Sequence, residues 1–168
     1  YVVLPSAQAV HLPDEVGFDA GACLGIPALT AYHCAAVDGG VAGKSVLVAG
    51  GAGAVGHYAV QCARLLGARQ VIATVSSEAK ARLALDAGAD LAVDYRREDA
   101  AVRIREATAG AGVDRIVEVD IAANSALDLQ VLKQGGDVVV YGSGAGEFKL
   151  PFFPLIVQHV RLRFFIVY

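Results

Sequence analysis

The sequence predicts an α/β fold with a doubly wound parallel sheet, and three observations predict it. From Lys44 onward, short β-prone apolar runs alternate with stretches of helical periodicity, the order typical of strand–helix–strand units with parallel strands. Apolar residues make up 55% of the chain, mostly through Ala and Val, as expected where helices cover both faces of a sheet. A glycine-rich turn, GGAGAVG, follows the first predicted strand.

The predicted elements alternate along the chain. The strands are the apolar runs 45–49, 70–75, 91–94, 114–119, 136–141 and 162–168. The helices lie between them, at 54–67, 77–87, 97–109, 122–134 and 151–158. Because crossovers between parallel strands are right-handed, six strands fit the order 3-2-1-4-5-6.

Local residue chemistry supports these helices. In 54–67, apolar residues recur at helical spacing and give a face for the sheet. Gly67 is placed to end that helix. Ser77 can cap the next helix and Gly88 can end it. Upstream, 19–36 is predicted as a helix interrupted near Gly25–Pro27.

Composition and charge exclude several classes of function. The net charge of −3 argues against a nucleic-acid-binding surface, which is usually basic. No uninterrupted apolar run reaches about 18 residues, so no membrane span is predicted. A signal peptide pattern is also missing. Three cysteines at wide spacing indicate free thiols in a reducing cytoplasm. Because the chain begins without Met and ends inside an apolar run, we expect a piece of a longer polypeptide.

The glycine turn has the spacing of a dinucleotide-binding motif. Gly51, Gly53 and Gly56 follow GxGxxG and stand between a predicted strand and a predicted helix. The first glycine permits a tight turn, the second lets the backbone approach a pyrophosphate, and the third lets helix and strand pack closely. The N–H groups and dipole at the helix start favour a diphosphate. A turn used only for packing is the alternative.

The end of the second strand indicates which dinucleotide binds. NAD sites usually carry Asp or Glu there, to bond the ribose 2′-hydroxyl. Here the strand is followed by Ser76 and Ser77, and Lys80 lies within one helical turn. Hydroxyls and a cation suit the 2′-phosphate of NADPH. Glu78 is the opposing feature, while two further cations, Arg96 and Arg97, follow the third strand.

Other familiar catalytic patterns are missing. The four histidines form no close metal-binding pair, there is no Tyr-x-x-x-Lys pair, and Ser143 does not sit in a GxSxG turn. We therefore predict no metal site and name no catalytic residue. In the last predicted strand, Arg161 and Arg163 share one face, which fits either an exposed edge or an edge that pairs with a second subunit.

Several motifs together resemble a known family. They are LGIPALTAY at 24–32, GKSVLV at 43–48, GGAGAVG at 50–56 and GAD at 88–90, followed by VDYR at 93–96. In this order they resemble the medium-chain dehydrogenase/reductase superfamily. Within it, the chain is most similar to the zinc-independent quinone oxidoreductases, the zeta-crystallin-like group, and the resemblance covers almost the whole chain.

The resemblance implies a domain organisation and a metal state. Residues 1–18 would be the tail of an upstream GroES-like catalytic β domain, 19–43 a connecting helical segment, and 44–168 an NADP(H)-binding Rossmann domain. Zinc-dependent relatives carry a cysteine ligand four residues before the threonine of a Thr-x-Tyr motif. Here Ile26 stands at that position, ahead of Thr30, which argues against catalytic zinc.

The resemblance also implies roles for individual residues toward NADPH. Thr30 would approach the nicotinamide carboxamide. Gly53, Ala54 and Val55 would face the pyrophosphate, and Ser76, Lys80 and Tyr95 would surround the 2′-phosphate. The nicotinamide end would be lined by Tyr141, Gly142, Ser143, Phe165 and Ile166.

The function that we expect is hydride transfer from NADPH to a quinone or an α,β-unsaturated carbonyl, by a cytoplasmic homodimer that pairs through the last strand. The isolated chain is expected to bind cofactor without useful activity. The alternatives are an enoyl reductase domain of a polyketide or fatty-acid synthase, a zinc-type alcohol dehydrogenase, and a non-catalytic NADPH-binding module.

Overall fold

One parallel sheet organises the chain, as seen in a computed structural model that describes residues 2–167. Its strands are β1 Ser45–Val48, β2 Gln70–Val75, β3 Leu91–Asp94, β4 Val113–Glu118, β5 Leu132–Val140 and β6 Arg161–Phe164. Their order is β3-β2-β1-β4-β5-β6, and every neighbouring pair is parallel. The predicted fold class and strand order are therefore confirmed.

Helices cover both faces of the sheet. They are α1 Phe18–Cys23, α2 Leu29–Ala36, α3 Ala54–Leu65, α4 Glu78–Asp86, α5 Ala100–Ala107, α6 Ile121–Val131 and α7 Phe152–Val157. A widened turn, Leu24–Ala28, separates α1 from α2, with Gly25 outside helical geometry and Pro27 inside the turn. This confirms the predicted interruption of the first helical stretch. No helix in the described part of the chain is long and apolar enough to cross a membrane.

Side-chain caps and glycines set the helix ends. Ser77 Oγ accepts a hydrogen bond from the Lys80 N–H at 3.3 Å, as predicted, and Asp99 and Asp120 cap α5 and α6 in the same way. Gly88 follows α4 with φ of +109°, a conformation that side chains other than glycine rarely adopt. Gly67 similarly follows α3.

Alternate strand residues enter two separate cores. Val46 and Val48 face one core, which is shared with α2, α3 and α4. Leu47 faces the other core, which is shared with α5 and α6. Nearly continuous apolar strands are what a sheet buried on both faces requires.

A buried arginine fixes α2 against the first of these cores. Arg115 of β4 is fully buried. Its guanidinium donates to the carbonyl of Val37 at 2.7 Å and of Cys34 at 3.2 Å, near the end of α2, and pairs with Asp137 at 3.0 Å. The arginine thus satisfies carbonyls that the helix end leaves free and ties α2 to two central strands.

The structure moves several predicted boundaries, and the largest shifts fall on the last two strands. The fifth strand begins at Leu132 rather than 136, so the preceding helix ends at Val131 instead of 134. The pairing of β4 with β5 shifts register between Val113 and Arg115, and this irregularity adds the early residues to the strand. The last strand covers 161–164 rather than 162–168, because its partner β5 ends at Val140. Tyr168, which the prediction included, lies outside the described residues.

Candidate functional site

The candidate site lies along the carboxyl ends of the strands. The chain crosses from β1 to β2 on one side and reaches β4 on the other, so the strand order reverses between β1 and β4. In open α/β sheets, ligands bind at this switch point, outside the carboxyl ends of the strands. The glycine turn after β1 lies directly at this reversal.

Close packing explains the glycines of the turn. A Cβ on Gly56 would lie 2.1 Å from the Gly50 carbonyl oxygen, and one on Gly51 would lie 2.5 Å from Ala73 Cβ. Both positions are buried, so these glycines shape the site by packing. The left-handed backbone belongs to Gly50, with φ of +67°, and not to Gly51. The GxGxxG spacing predicted the tight turn at Gly51, because Gly50 lies outside that frame.

The β2 strand holds this turn in place. The Gly50 N–H donates to Thr74 Oγ1 at 3.1 Å, and the Gly51 N–H donates to the Thr74 carbonyl at 3.0 Å. Thr74 was not singled out from the sequence, since its position inside an apolar strand gives no sign of a contact 24 residues away.

The start of α3 offers backbone donors. Gly53 and Ala54 are exposed, and Gly53 caps the helix without a side-chain bond. Within the described residues, no protein group accepts from the N–H groups of Ala54, Val55 or Gly56. Free donors at a helix start, together with the helix dipole, form an anion site. The residues predicted to face a pyrophosphate are thus brought to one accessible edge.

A cation and a hydroxyl meet at the end of β2. Lys80 Nζ donates to Ser76 Oγ at 3.0 Å, so both predicted residues lie side by side. Ser77 accepts from the Lys80 backbone as the helix cap. Glu78, the opposing feature in the sequence, forms an ion pair with Arg82 one turn further along α4. This places a positive group, with Glu78 already paired to Arg82, where the ribose specificity of such sites is decided.

Further cations lie close by in the chain. The exposed Arg96 and Arg97 follow Tyr95 after β3. Neither arginine forms an ion pair with another described residue.

A cleft of about 780 Å³ opens beside the glycine turn. Of the predicted residues, it brings together Tyr95, Gly142 and Ser143. Its other lining residues were not predicted: Gly50, Thr74, Val119, Asp120, Ala123, Asn124, Leu127 and Gly144. Most of these lie on α6 or its preceding loop. A mostly apolar cleft with a few polar groups is suited to a small molecule or a cofactor.

The loop after β5 is fastened to the loop after β4. Asp120 Oδ1 accepts from the Gly144 N–H at 2.8 Å and also caps α6. A Cβ on Gly142 would lie 2.3 Å from the Val119 carbonyl oxygen. These contacts keep the two loops close together at one end of the cleft.

A second group of predicted residues packs on the opposite face of the sheet. Tyr141 and Phe165 both pack against the core shared with α2, which carries the buried Thr30. The Phe165 ring lies 4.1 Å from the His33 ring, centre to centre. Burial raises the pKa of Tyr141 above its usual range. Tyr141 is not among the residues that line the cleft, since alternate residues of a strand point to opposite faces.

Ile166 stands apart from this group. It is 72% exposed, and it is not among the residues that line the cleft or that pack against the core shared with α2.

Metal-ligating side chains are scattered. In residues 2–167, no group of three or more His, Cys, Asp or Glu side chains could hold a metal ion. Cys23 is exposed, Cys34 is buried, and each of the three cysteines is a free thiol. Burial raises the pKa of the Cys34 thiol to about 12.

Comparison with a family model gives a match over residues 54–168, to the family described as zinc-binding dehydrogenase. Among curated proteins, human quinone oxidoreductase is 35% identical over 147 residues, which is 85% of this chain and 44% of the human protein. The chain therefore spans less than half the length of the curated relatives that it matches.

Solved structures agree in fold. A structure titled NAD-dependent alcohol dehydrogenase has a TM-score of 0.90 and 33% identity, over 97% of this chain and 48% of that one. Escherichia coli quinone oxidoreductase complexed with NADPH has a TM-score of 0.82 and 28% identity, over 94% of this chain and 49% of that one.

Proposed function

Because the chain belongs to the zinc-binding dehydrogenase family of medium-chain dehydrogenases/reductases, we propose that it binds NADPH as part of a zinc-independent reductase. In this proposal residues 44–168 are the cofactor domain, 19–43 connect it to a catalytic domain, and 1–18 belong to that domain. The acceptor is a quinone or an α,β-unsaturated carbonyl, in line with the human relative named quinone oxidoreductase.

The contact between Lys80 and Ser76 is the observation that carries the choice of NADPH. Its position at the end of β2 is where NAD sites carry an acid, and here the nearest acid in the sequence, Glu78, is paired with Arg82. A phosphate dianion at this place would gain charge-assisted hydrogen bonds from Lys80 and Ser76. Arg96 and Arg97 would add positive potential.

The residues of the chain fit the remaining parts of the dinucleotide. The N–H groups of Ala54 and Val55 would hold the diphosphate. The cleft wall around Val119 and Leu127 would bury an apolar ring. Thr30 would bond the nicotinamide amide, with Tyr141 and Phe165 shielding that end from water. When bound, NADPH supplies the hydride. We assign no proton donor to this chain.

Zinc independence is also part of the proposal. Its support is Ile26, which is 59% exposed at the position where zinc-dependent relatives are expected to carry a cysteine. An isoleucine side chain has no atom that can ligate a metal. Metal analysis of the full-length protein tests this part: one zinc per chain that is needed for turnover would contradict it.

The proposed homodimer uses the sheet edge. β6 is the last strand of the sheet, and Phe164 at its end is 54% exposed. On the nearby α7, Phe152 and Phe153 are 67% and 76% exposed. An edge strand beside apolar side chains suits pairing with a second copy. Sedimentation of the full-length protein tests this, and a monomer at micromolar concentration would contradict it. We also place the protein in the cytoplasm, in keeping with its free thiols.

A cofactor titration tests the cofactor choice. We expect the purified chain to bind NADPH at least about tenfold tighter than NADH, which is about 1.4 kcal/mol. The Lys80→Ala variant should remove this difference, whereas Lys149→Ala, an exposed lysine of the loop before α7, should keep it. Equal or tighter binding of NADH to the wild type would contradict NADPH and favour an NAD-dependent dehydrogenase.

An activity assay with the full-length protein tests the reaction. NADPH oxidation is followed with a panel of quinones, enones and simple aldehydes, and NADP⁺ reduction is followed with simple alcohols. We expect turnover with a quinone or an enone and none with alcohols. Tight NADPH binding without turnover of any member would contradict the proposed reductase and favour a non-catalytic binding module.

A further inference from the structure

Two carboxyl groups are buried against each other beneath the cleft. Glu118, the last residue of β4, is 0% exposed, and Asp128 of α6 is 2% exposed. Neither forms an ion pair with a described cation. Glu118 Oε2 and Asp128 Oδ2 are both fully enclosed, and no protein N–H or O–H of the described residues donates to them. Buried carboxylates without a cation or a donor are costly.

The Glu118 and Asp128 carboxyl groups lie within reach of a hydrogen bond to each other. Carboxylate oxygens only accept, so this bond needs a proton on one of the two groups. The other oxygen of Glu118, Oε1, accepts from the Asp120 N–H at 2.5 Å and from Asn124 Nδ2 at 2.8 Å. Glu118 therefore links Asp128 to the loop and helix turn that form one wall of the cleft.

The charged and titratable groups around Glu118 and Asp128 do not neutralise the negative charge of the two carboxyl groups. The nearby groups are themselves acids: Asp120 on the same loop, and Tyr141 at the end of β5. On α5, Arg103 pairs with Glu98 and Glu106, and Arg105 donates to the carbonyls of Gln130 and Gly110.

Among the described residues, the other elements packed nearby offer no free cation either, since Lys133 of β5 pairs with Asp114. On β4 and β5, Arg115 and Asp137 pair with each other, within the contacts to α2 on the opposite face of the sheet. Helix α7, which also packs near Asp128, carries no titratable residue between 152 and 157. The nearby cations are therefore committed to other partners, and a proton is the remaining way to neutralise one carboxylate.

We propose that Glu118 and Asp128 share a single proton, and that this proton fixes the wall of the cleft formed by Val119, Asp120 and Asn124. The two are positioning residues, since neither lines the cleft. Only the identity of the ligand rests on the proposed function. The shared proton and the position of the wall are properties of the chain alone.

The direction of the pH response follows from the burial of the pair. Desolvation, together with the smaller effect of the Glu118 charge, raises the pKa of Asp128 to about 8. Because the folded chain holds the proton above the ordinary range of an aspartate, rising pH removes it near pH 8. The two adjacent carboxylates then repel each other, so Glu118 is no longer held in position to accept hydrogen bonds from the Asp120 N–H and Asn124 Nδ2.

NMR titration of the chain tests the shared proton without any cofactor. In ¹³C-carboxyl spectra we expect one carboxyl to titrate near pH 8, and this transition should be missing from Asp128→Asn. The side-chain N–H of an asparagine can donate a hydrogen bond to Glu118 as the protonated Asp128 carboxyl does, so we expect the Asp128→Asn variant to fold. Asp86→Asn, an exposed position on α4, is the matched control and should keep the transition. Glu118→Gln replaces the other carboxyl group of the pair, and it should also remove the transition near pH 8.

The amide signals of the same samples report the position of the cleft wall formed by Val119, Asp120 and Asn124. The Asp120 amide and the Asn124 side-chain amide should shift with the same midpoint in wild type and Asp86→Asn, and stay constant in Asp128→Asn. Carboxyl groups that all titrate below about pH 6, near ordinary values, would overturn the shared proton. A high transition that leaves both amides unmoved would overturn the positioning role.

Cofactor binding provides the last readout. NADPH affinity of the wild type should fall by about fivefold or more between pH 6 and pH 9, and the fall should be smaller in Asp128→Asn, as linkage requires. Identical pH profiles for the two proteins would contradict the link to the ligand. If NADPH binds neither protein at any pH, the proposed function fails, while the amide and carboxyl titrations still decide the shared proton.

Discussion

Replacing Gly56 by alanine perturbs the contact on which the glycine turn depends most. An added Cβ would lie 2.1 Å from the Gly50 carbonyl oxygen and 2.8 Å from its carbonyl carbon. Real Cβ contacts are hardly ever shorter than 3.0 Å, so helix α3 would have to move by about 1 Å in a closely packed interior. The contacting atoms belong to the backbone, which cannot rotate away as a flexible side chain can.

The expected cost is about 3 kcal/mol of the free energy of unfolding, the upper range for overpacking a well-packed site. For a chain of this size that corresponds to a fall of about 6–12 °C in Tm. Urea unfolding followed by circular dichroism measures it. Gly146→Ala is the matched control, because nothing lies within 4 Å of its added Cβ. The close-packing argument is refuted if Gly56→Ala stays within about 0.5 kcal/mol of the wild type, the range of ordinary surface substitutions.

Three further outcomes are expected. Arg115→Met should cost about 3 kcal/mol in urea unfolding, the lower end for a broken buried pair, because Asp137 loses its buried partner and keeps only the partly exposed Arg161 and Lys44. A loss no larger than that of the exposed Arg96→Met would contradict this. At pH 8, iodoacetamide should modify the exposed Cys23 of the folded chain and should leave Cys34 unmodified, because burial raises the pKa of the Cys34 thiol to about 12. Rapid modification of Cys34, detected by mass spectrometry, would count against its burial. Between about pH 4 and pH 8, the unfolding free energy of the wild type should fall relative to that of Asp128→Asn. The reason is that a raised pKa of Asp128 in the folded state makes the folded chain hold more protons than the unfolded chain over this range. Parallel pH profiles of the two proteins would argue against a raised pKa.

Local chemistry explains why much of the fold could be predicted. Ser77 caps α4 and Gly88 ends it, and these roles depend on residues within one helical turn. The alternation of strand and helix patterns, with right-handed crossovers, then leaves few possible strand orders. Ser76 and Lys80 could be paired from the sequence for the same reason, since they lie four residues apart.

Other features depend on parts of the chain that meet only in the folded state. Arg115 bonds a carbonyl 81 residues away, and nothing near it in the sequence marks it as buried. Thr74 holds the glycine turn through a contact with Gly50, which lies outside the GxGxxG frame. Tyr141 packs on the face opposite the cleft because strand register decides which side each residue faces. The early start of β5 follows from an irregular pairing that carries no local pattern.

Amide mapping in solution locates bound NADPH on the chain. We expect the cofactor to lie across the carboxyl ends of the strands, with its diphosphate on the start of α3 and its 2′-phosphate beside Lys80. In ¹⁵N spectra of the chain titrated with NADPH, the largest shifts should fall on Gly53–Gly56, on Ser76–Lys80 and on the cleft residues near Asn124. NADH should leave the Ser76–Lys80 amides nearly unmoved. Shifts confined to other surfaces, or none at saturating NADPH, would contradict the account.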